Sequence, residues 1–269
     1  MSPLTETAFA KLNLALHVRS KRDDGYHAIE TIFAFCDDGD GLSGELADDL
    51  SLEVGGPFAA DIPDHNANLA IEAARVLRLA SDVATGARLK LVKNLPVTSG
   101  IGGGSADAAA VLRLLTRLWD IPADHAAEVA PLLGADVPAC LLSQSCRGEG
   151  RGDGVEPIEL GLSGTAVLLV NPGIPLTTRA VFEQWDGVDR GPLGGGWREG
   201  RNDLQAAAVS LVPEIAGVLA WLNQQTGAGF VRMSGSGATC FALFADDAAR
   251  DTAGSQLPQP WWHLATRLR

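Results

Sequence analysis

Most of the chain alternates between a two-residue period and a helical period. From Thr7 to Val18 the chain alternates for much of its length, Ala10, Leu12, Leu14 and Leu16 on one face and Phe9, Lys11, Asn13 and Ala15 on the other. The first set reads as core. The second puts a lysine and an amide two residues apart, which suits either a solvated face or a site for chemistry. A polar turn at 19–25 follows, then a strand-like run from Ile29 to Phe35 and a short one from Leu50 to Val54. Asn68 to Leu79 carries the helical stripe Leu69, Ala73, Val76 and Leu77, and Ala87 to Val92 alternates again. Residues 108–119 predict a strongly periodic helix, and another short helix opens at Pro122 and Asp124 and ends near Leu133.

Further on, Ala166–Val170 reads as a buried strand and Thr177–Trp185 as a helix, followed by a Gly/Pro-rich loop over 187–200 expected to be mobile. Arg201-Asn202-Asp203 precedes an alanine-rich helix and Pro213 opens another. Strands are expected at Phe230–Met233 and Cys240–Phe244, then a short helix and a strand at Trp261-Trp262. The run Gly148-Glu-Gly-Arg-Gly-Asp-Gly154 reads as a hairpin or hinge and marks the expected boundary between residues 1–150 and 151–269. No repeats or heptads occur. Strands and helices in both parts predict an α+β fold with two lobes.

Between Val92 and the long helix lies Pro96-Val-Thr-Ser-Gly-Ile-Gly-Gly-Gly-Ser-Ala-Asp107. A glycine run alone is most simply a flexible turn. This one feeds a helix directly, with Ser105 a suitable N-cap, and backbone N–H groups at a helix N-terminus favour phosphate. The common nucleotide motifs do not fit. No lysine follows the glycines, the dinucleotide spacing is one residue short, and there is no His-Arg-Asp segment. A second small-residue turn, Ser234-Gly-Ser-Gly-Ala238, suits an ordinary hairpin or another close backbone approach. Asp136 sits between Gly134 and Pro138, with Val137 biased toward extended backbone.

Composition narrows the partners. The 269 residues are 46% hydrophobic and 20% charged, enough for an ordinary core. Lysine and arginine number 21 against 33 acidic residues, a formal charge of −12. That disfavours nucleic acid, whose binding depends on neutralising phosphates, and requires any anionic ligand to be held by local dipoles and a few cations. Four cysteines without a C-x-x-C pair read as buried thiols. With neither a leader-like N-terminus nor a run of about 18 apolar residues, the expected setting is the cytoplasm, away from membranes, as a monomer or weak homodimer.

Several segments in one order carry a resemblance. Ala10-Lys-Leu-Asn-Leu14, Asp24-Gly-Tyr-His27, Gly102-Gly-Gly-Ser-Ala-Asp107, Gly134-Ala-Asp-Val-Pro138, Asn202-Asp203 and Ser234-Gly-Ser-Gly-Ala-Thr239 span essentially the whole chain. Together they resemble the superfamily of galactokinase, homoserine kinase, mevalonate kinase and phosphomevalonate kinase. Within it they are similar to the kinases acting on 4-diphosphocytidyl-2-C-methyl-D-erythritol.

The resemblance implies a two-lobed fold with the active site in a cleft, and ATP-dependent phosphorylation of that substrate's 2-hydroxyl. It assigns Asp136 as the base, with Lys11 beside it offsetting charge on the moving phosphoryl group. ATP would be held by Pro96, Val97, Thr98, Ser99, Gly100, Ile101, Gly102, Gly103, Gly104, Ser105 and Ala106. Gly235, Ser236 and Gly237 would form a glycine turn near the site. Asn13 matches a substrate-binding position, Tyr26 and Phe182 the two faces of the cytosine, and His27 its edge. Magnesium is expected on the nucleotide, without a protein cage. The superfamily's Gly-Ser-Ser reads Gly104-Ser105-Ala106 here, so only Ser105 offers a hydroxyl. The rival readings are another kinase of the superfamily, of homoserine or mevalonate type, and a non-catalytic nucleotide-binding module. An RNA-binding role is disfavoured by the charge.

Overall fold

The structure, a computed structural model, describes residues 3–62 and 68–269. Its contacts divide the chain into two compact units. One comprises Met1–Ala10, Asp38–Val97 and Gly102–Ser143, the other Lys11–Asp37, Thr98–Ile101 and Gln144–Arg269. Two long paired strands, β1 (Leu4–Lys21) and β2 (His27–Ala47), each contribute to both units. β2 runs well past the expected end at Phe35, through Asp37-Asp38-Gly39-Asp40-Gly41, a composition that strands normally avoid. Asp40 supplies one reason. It is fully buried, and its carboxylate accepts from the backbone N–H groups of Asn94 (2.5 Å) and Leu95 (2.9 Å).

The first unit also holds β3 (Ser51–Gly55), α1 (Leu69–Ala80), β4 (Gly86–Val92), α2 (Gly103–Leu118), α3 (Ala123–Leu133) and α4 (Val137–Leu142). β4 pairs in parallel with β3 and antiparallel with residues 41–47 of β2. Asn68 caps α1 by accepting from the Ala70 N–H at 2.9 Å, and the helix buries Ile71, Ala73, Ala74 and Leu77. It packs on α2, whose Ala108, Ala109 and Ala110 are fully buried and small enough for close helix approach.

Two local expectations are corrected here. Ser105 is not the N-cap of α2. The cap is Gly102, at φ +71°, and no side chain caps the helix. A left-handed backbone costs glycine little, so the chain turns into the helix three residues earlier than a Ser105 cap would allow. Val137 is helical rather than extended, opening α4 with Pro138 as its second residue. Proline is tolerated in a first turn, which needs no N–H there. Val137 is fully buried, and its N–H donates to the Gly134 carbonyl at 3.2 Å.

The second unit contains the hairpin β5 (Cys146–Glu149) and β6 (Gly154–Pro157), where the alternating glycine run forms the turn. β5 also pairs with Thr31–Phe33 of β2. Then come β7 (Ala166–Asn171), α5 (Thr178–Glu183), α6 (Gln205–Leu211), α7 (Glu214–Asn223), β8 (Ala228–Met233), β9 (Cys240–Phe244), α8 (Asp247–Ser255) and β10 (Trp262–Arg267). Four strands form an antiparallel sheet in the order β10-β7-β9-β8. Its inner strands β7 and β9 are buried throughout, as their unbroken apolar runs require. Leu168, Val170, Ala242 and Phe244 pack with Ile215, Val218 and Leu222 of α7 and with Leu16 and Val18 of β1. Both units combine strands with helices, giving the expected α+β class.

Residues 187–200 form no regular element, yet they are fastened at several points. Arg19 pairs with Asp189 (2.9 Å), Glu30 accepts from the Leu193 N–H (2.7 Å), and Arg232 donates to the Gly200 carbonyl (2.5 Å). Leu193 and Trp197 anchor the stretch by burial.

Candidate active site

Lys11 and Asn13 settle the open question about their strand face. Both are almost wholly buried, at 3% and 2% exposure, so this face is no solvated surface. The Lys11 Nζ donates to Asn13 Oδ1 at 2.9 Å and lies 4.8 Å from the centre of the Phe33 ring. Asn13 Nδ2 donates to Thr31 Oγ1 (2.8 Å), which in turn donates to the Ala15 carbonyl (2.7 Å). Every polar atom in this series needs a partner, because an unpaired one here would cost about 1–3 kcal/mol.

The same strand is hydrogen-bonded to both glycine turns. The Lys11 N–H donates to the Ile101 carbonyl at 2.9 Å. Ser234 Oγ accepts from the Asn13 N–H (3.1 Å) and donates to the Gly100 carbonyl (3.0 Å). The Thr239 N–H donates to the Ser99 carbonyl at 3.1 Å. The turns touch backbone to backbone. A Cβ on Gly100 would lie 2.5 Å from the Ser234 carbonyl oxygen, and one on Gly235 would lie 2.8 Å from that of Gly100. Both readings of the second turn hold, since it closes the antiparallel β8–β9 hairpin and also makes the close backbone approach. Asn202 Nδ2 ties it down by donating to the carbonyls of Met233 and Gly235, each at 2.8 Å, and Ser236 Oγ shares a 2.9 Å hydrogen bond with Thr178.

Tyr26 immediately precedes β2, which His27 opens. The Tyr26 ring is half exposed, and the Arg151 guanidinium carbon lies 5.1 Å from its centre. His27 stacks on Phe182 with ring centres 4.7 Å apart and planes at 25°, and meets Trp185 edge-on at 5.6 Å. Burial lowers the His27 imidazole below its ordinary pKa, with Lys21 adding to the effect. Phe182 is partly buried, packed against the core as well as on His27, so one of its faces is already covered by the histidine.

The first unit carries Pro96, Val97, Gly102–Ala106 and Asp136. At the N-terminus of α2, a Cβ on Gly104 would meet nothing within 4 Å, leaving the backbone open to a ligand. Asp136 occupies the N-cap position of α4. The residues that sequence reading missed lie just beneath the α2 terminus. Lys93 Nζ pairs with Asp107 Oδ2 at 2.6 Å and also with Asp40, and all three side chains are buried. Burial raises the Asp107 carboxyl to about 7, with Lys93 pulling it down and Asp40 pushing it up. Asp107 Oδ1 has no hydrogen-bond partner. The proximity of an aspartate to the glycine loop was visible in sequence, but its partners come from 14 and 67 positions away.

With this geometry in view, the comparisons with known proteins are decisive. Residues 68–144 match the family described as GHMP kinases N terminal domain, and residues 193–261 match GHMP kinases C terminal. The 4-diphosphocytidyl-2-C-methyl-D-erythritol kinase of Novosphingobium aromaticivorans is 53% identical, covering 99% of this chain and 93% of that protein. The enzyme of the same name from Erythrobacter litoralis is 45% identical over 99% and 100% of the two chains. The chain belongs to the 4-diphosphocytidyl-2-C-methyl-D-erythritol kinase family. A crystal structure of 4-(cytidine 5'-diphospho)-2C-methyl-D-erythritol kinase superposes with a TM-score of 0.85 at 31% identity, covering 98% of this chain and 99% of that one. Homoserine kinase from Cytophaga hutchinsonii, at 15% identity and a TM-score of 0.71, shares the fold alone.

Proposed function

We infer that this member of the family transfers the γ-phosphoryl group of ATP to the 2-hydroxyl of 4-diphosphocytidyl-2-C-methyl-D-erythritol, giving the 2-phosphate and ADP in the non-mevalonate route to isoprenoid precursors. The observation that carries the reading is full-length kinship with enzymes of that name, together with the buried Lys11–Asn13 series hydrogen-bonded to both glycine turns. Homoserine and mevalonate kinases share the fold, but the Tyr26, His27 and Phe182 cluster has no purpose for their substrates.

ATP is held at residues 96–106, where backbone N–H groups and the α2 dipole supply positive potential that a chain of charge −12 otherwise lacks. Asp107, one turn into that helix, would by itself repel polyphosphate. Lys93 offsets its charge at 2.6 Å. Mg²⁺, held mainly through the nucleotide, would offset charge on its phosphates. Among the described residues no group of three or more His, Cys, Asp or Glu side chains could form a protein cage, and Ser105 is the one hydroxyl that the Ser105-Ala106 pair offers.

An alcohol is a poor nucleophile until its proton has somewhere to go, and Asp136 accepts that proton as attack proceeds. Lys11 stabilises charge developing on the transferred group, and Asn13 holds Lys11 through the 2.9 Å hydrogen bond. Phosphoryl transfer needs little covalent assistance, so positioning and electrostatics account for the rest. Tyr26 and Phe182 stack on the cytosine, His27 reads its edge, and the turn at Gly235, Ser236 and Gly237 holds the nearby loop in place. The acceptor accordingly carries a cytidine diphosphate head.

The division of labour expected from sequence, with ATP held by residues 1–150 and the substrate site completed by 151–269, is retained in this reading. Among the described residues no helix is long and apolar enough to cross a membrane, and Cys36, Cys140, Cys146 and Cys240 are buried thiols outside any disulfide. We propose that the enzyme works in the cytoplasm as a monomer or weak homodimer. The test is a panel of acceptors with ATP and Mg²⁺. The cytidyl substrate should give the highest kcat/KM, and equal turnover of homoserine or mevalonate would remove the assignment.

A further inference from the structure

The Gly148–Gly154 run has so far been only the turn of a hairpin, yet it places one charged side chain against the cytosine-binding cluster. Ile29 donates its N–H to the Gly150 carbonyl at 2.8 Å, which fixes the tip of the turn to the start of β2. The next residue is Arg151, with its guanidinium carbon 5.1 Å from the Tyr26 ring centre. That distance lies within the range of an attractive cation–π contact. Arg151 is itself held in place. Its Nε and Nη2 donate to Asp153 Oδ2 at 2.9 and 2.5 Å, while its backbone N–H donates to Asp153 Oδ1 at 3.2 Å.

Tyr26 is anchored from its own loop as well. Its N–H donates to Asp24 Oδ1 at 3.1 Å, its carbonyl accepts from the Arg22 N–H at 2.8 Å, and Arg22 Nε donates to Asp24 Oδ2 at 3.0 Å. These bonds hold the backbone but leave the ring, half exposed, free to rotate about its side-chain bonds. Stacking on a base requires the ring to stop moving, and that ordering reduces affinity unless it is done beforehand. A planar guanidinium pressed on the ring orders it in advance, and pairing with Asp153 keeps that guanidinium from swinging away.

We propose that Arg151 is a positioning residue for cytosine recognition, acting through Tyr26, with Asp153 as its anchor. The inference rests on the reading of Tyr26 as a cytosine-stacking residue. It explains why a glycine-rich turn carries an arginine and an aspartate at alternate positions, since the glycines let the turn curl while the two charged residues lock the platform.

The test uses cytidine diphosphate as the probe, with dissociation constants measured calorimetrically for wild type, Arg151→Ala, Tyr26→Ala and the double variant. Arg151→Ala should weaken binding roughly three- to fivefold, the scale of a partly exposed cation–π contact. In the Tyr26→Ala background the same change should cause no further loss. KM for the cytidyl acceptor should rise in step while KM for ATP stays constant, and Arg151→Lys should recover part of the affinity. Because Tyr26 is the sole tyrosine, a fluorotyrosine label gives a single resonance, which should shift and broaden in Arg151→Ala. An equal loss in both backgrounds would mean that Arg151 acts independently of Tyr26, and would overturn the proposal. So would unchanged affinity in Arg151→Ala while wild type binds the probe. If wild type binds adenosine but not cytidine diphosphate, the cytosine reading itself falls and takes the proposal with it, an outcome visible before any variant is compared.

Discussion

Ser234 and Gly100 are joined at 3.0 Å, hydroxyl to carbonyl, and the same serine accepts from the Asn13 backbone at 3.1 Å. One buried hydroxyl therefore couples the glycine loop to the strand carrying Lys11. Ser234→Ala leaves the Asn13 N–H and the Gly100 carbonyl without this partner. It should cost about 1–3 kcal/mol by denaturant titration and raise KM for ATP. Gly100→Ala should be worse, since its Cβ would lie 2.5 Å from the Ser234 carbonyl oxygen at a backbone φ of +77°. Overpacking of this sort costs at least about 1–3 kcal/mol. Near-wild-type stability of Gly100→Ala would show that the turns can separate without penalty.

Asp136→Asn removes the proposed base and preserves shape. The kcat should fall by a factor on the order of 10² to 10⁴ while the thermal midpoint and KM for ATP change little. A variant retaining near-wild-type turnover would end the assignment of Asp136.

The buried Lys93, Asp40 and Asp107 group should appear in the pH dependence of stability. The folded-state pKa of Asp107, about 7, lies above its ordinary value of 3.8. Between those values the folded protein holds a proton that the unfolded chain has released. The group's stabilising contribution is thus fully present below about pH 4 and is lost as pH rises through 7. Asp107→Asn does not titrate, so the stability difference between variant and wild type should shift in the variant's favour from pH 4.5 to 7.5. Parallel curves in urea denaturation would contradict this. Lys93→Met strands two carboxylates in the interior and should cost about 3–5 kcal/mol at neutral pH.

His17 gives a shift of the opposite sense. Its Nε2 accepts from the Arg201 N–H at 3.1 Å, which assigns the ring proton to Nδ1, donating to the Gly191 carbonyl at 3.2 Å. Burial and then Arg201 lower the imidazole pKa below 6.5, against the raising effects of the Gly191 carbonyl, Asp203 and Glu30. The unfolded chain therefore takes up a proton before the folded one does. This contribution is fully present above pH 6.5 and is lost as pH falls through the depressed folded value. Thermal midpoints from pH 7.5 to 5 should decline less steeply in His17→Asn than in wild type, and the fastening of residues 187–200 should loosen in hydrogen exchange.

Features with a local cause were legible in sequence. Asn68 announced its helix, the alternating glycines their hairpin, and the glycine runs their close approach. Features depending on distant partners were not. Asp40 meets Lys93 across 53 positions, and nothing near Asp40 signals that a strand rich in aspartate and glycine will continue because its carboxylate is used. The cap of α2 fell to Gly102 because backbone freedom won over side-chain capping, two devices that sequence cannot rank when both residue types are present. Arg151 read as a turn residue since its ring partner lies 125 positions earlier. The motifs themselves stood out because they put polar residues where packing alone would not, as Lys11 and Asn13 do on a buried strand.

The central claim is that phosphate goes to one particular hydroxyl of a cytidyl substrate, and phosphorus NMR of the reaction mixture tests it most directly. With ATP, Mg²⁺ and 4-diphosphocytidyl-2-C-methyl-D-erythritol, a new phosphomonoester resonance should grow in step with ADP, coupled to no other phosphorus, while the substrate's diphosphate pair stays intact. Release of inorganic phosphate without that resonance, or a phosphomonoester located on the cytidine ribose, would contradict the account.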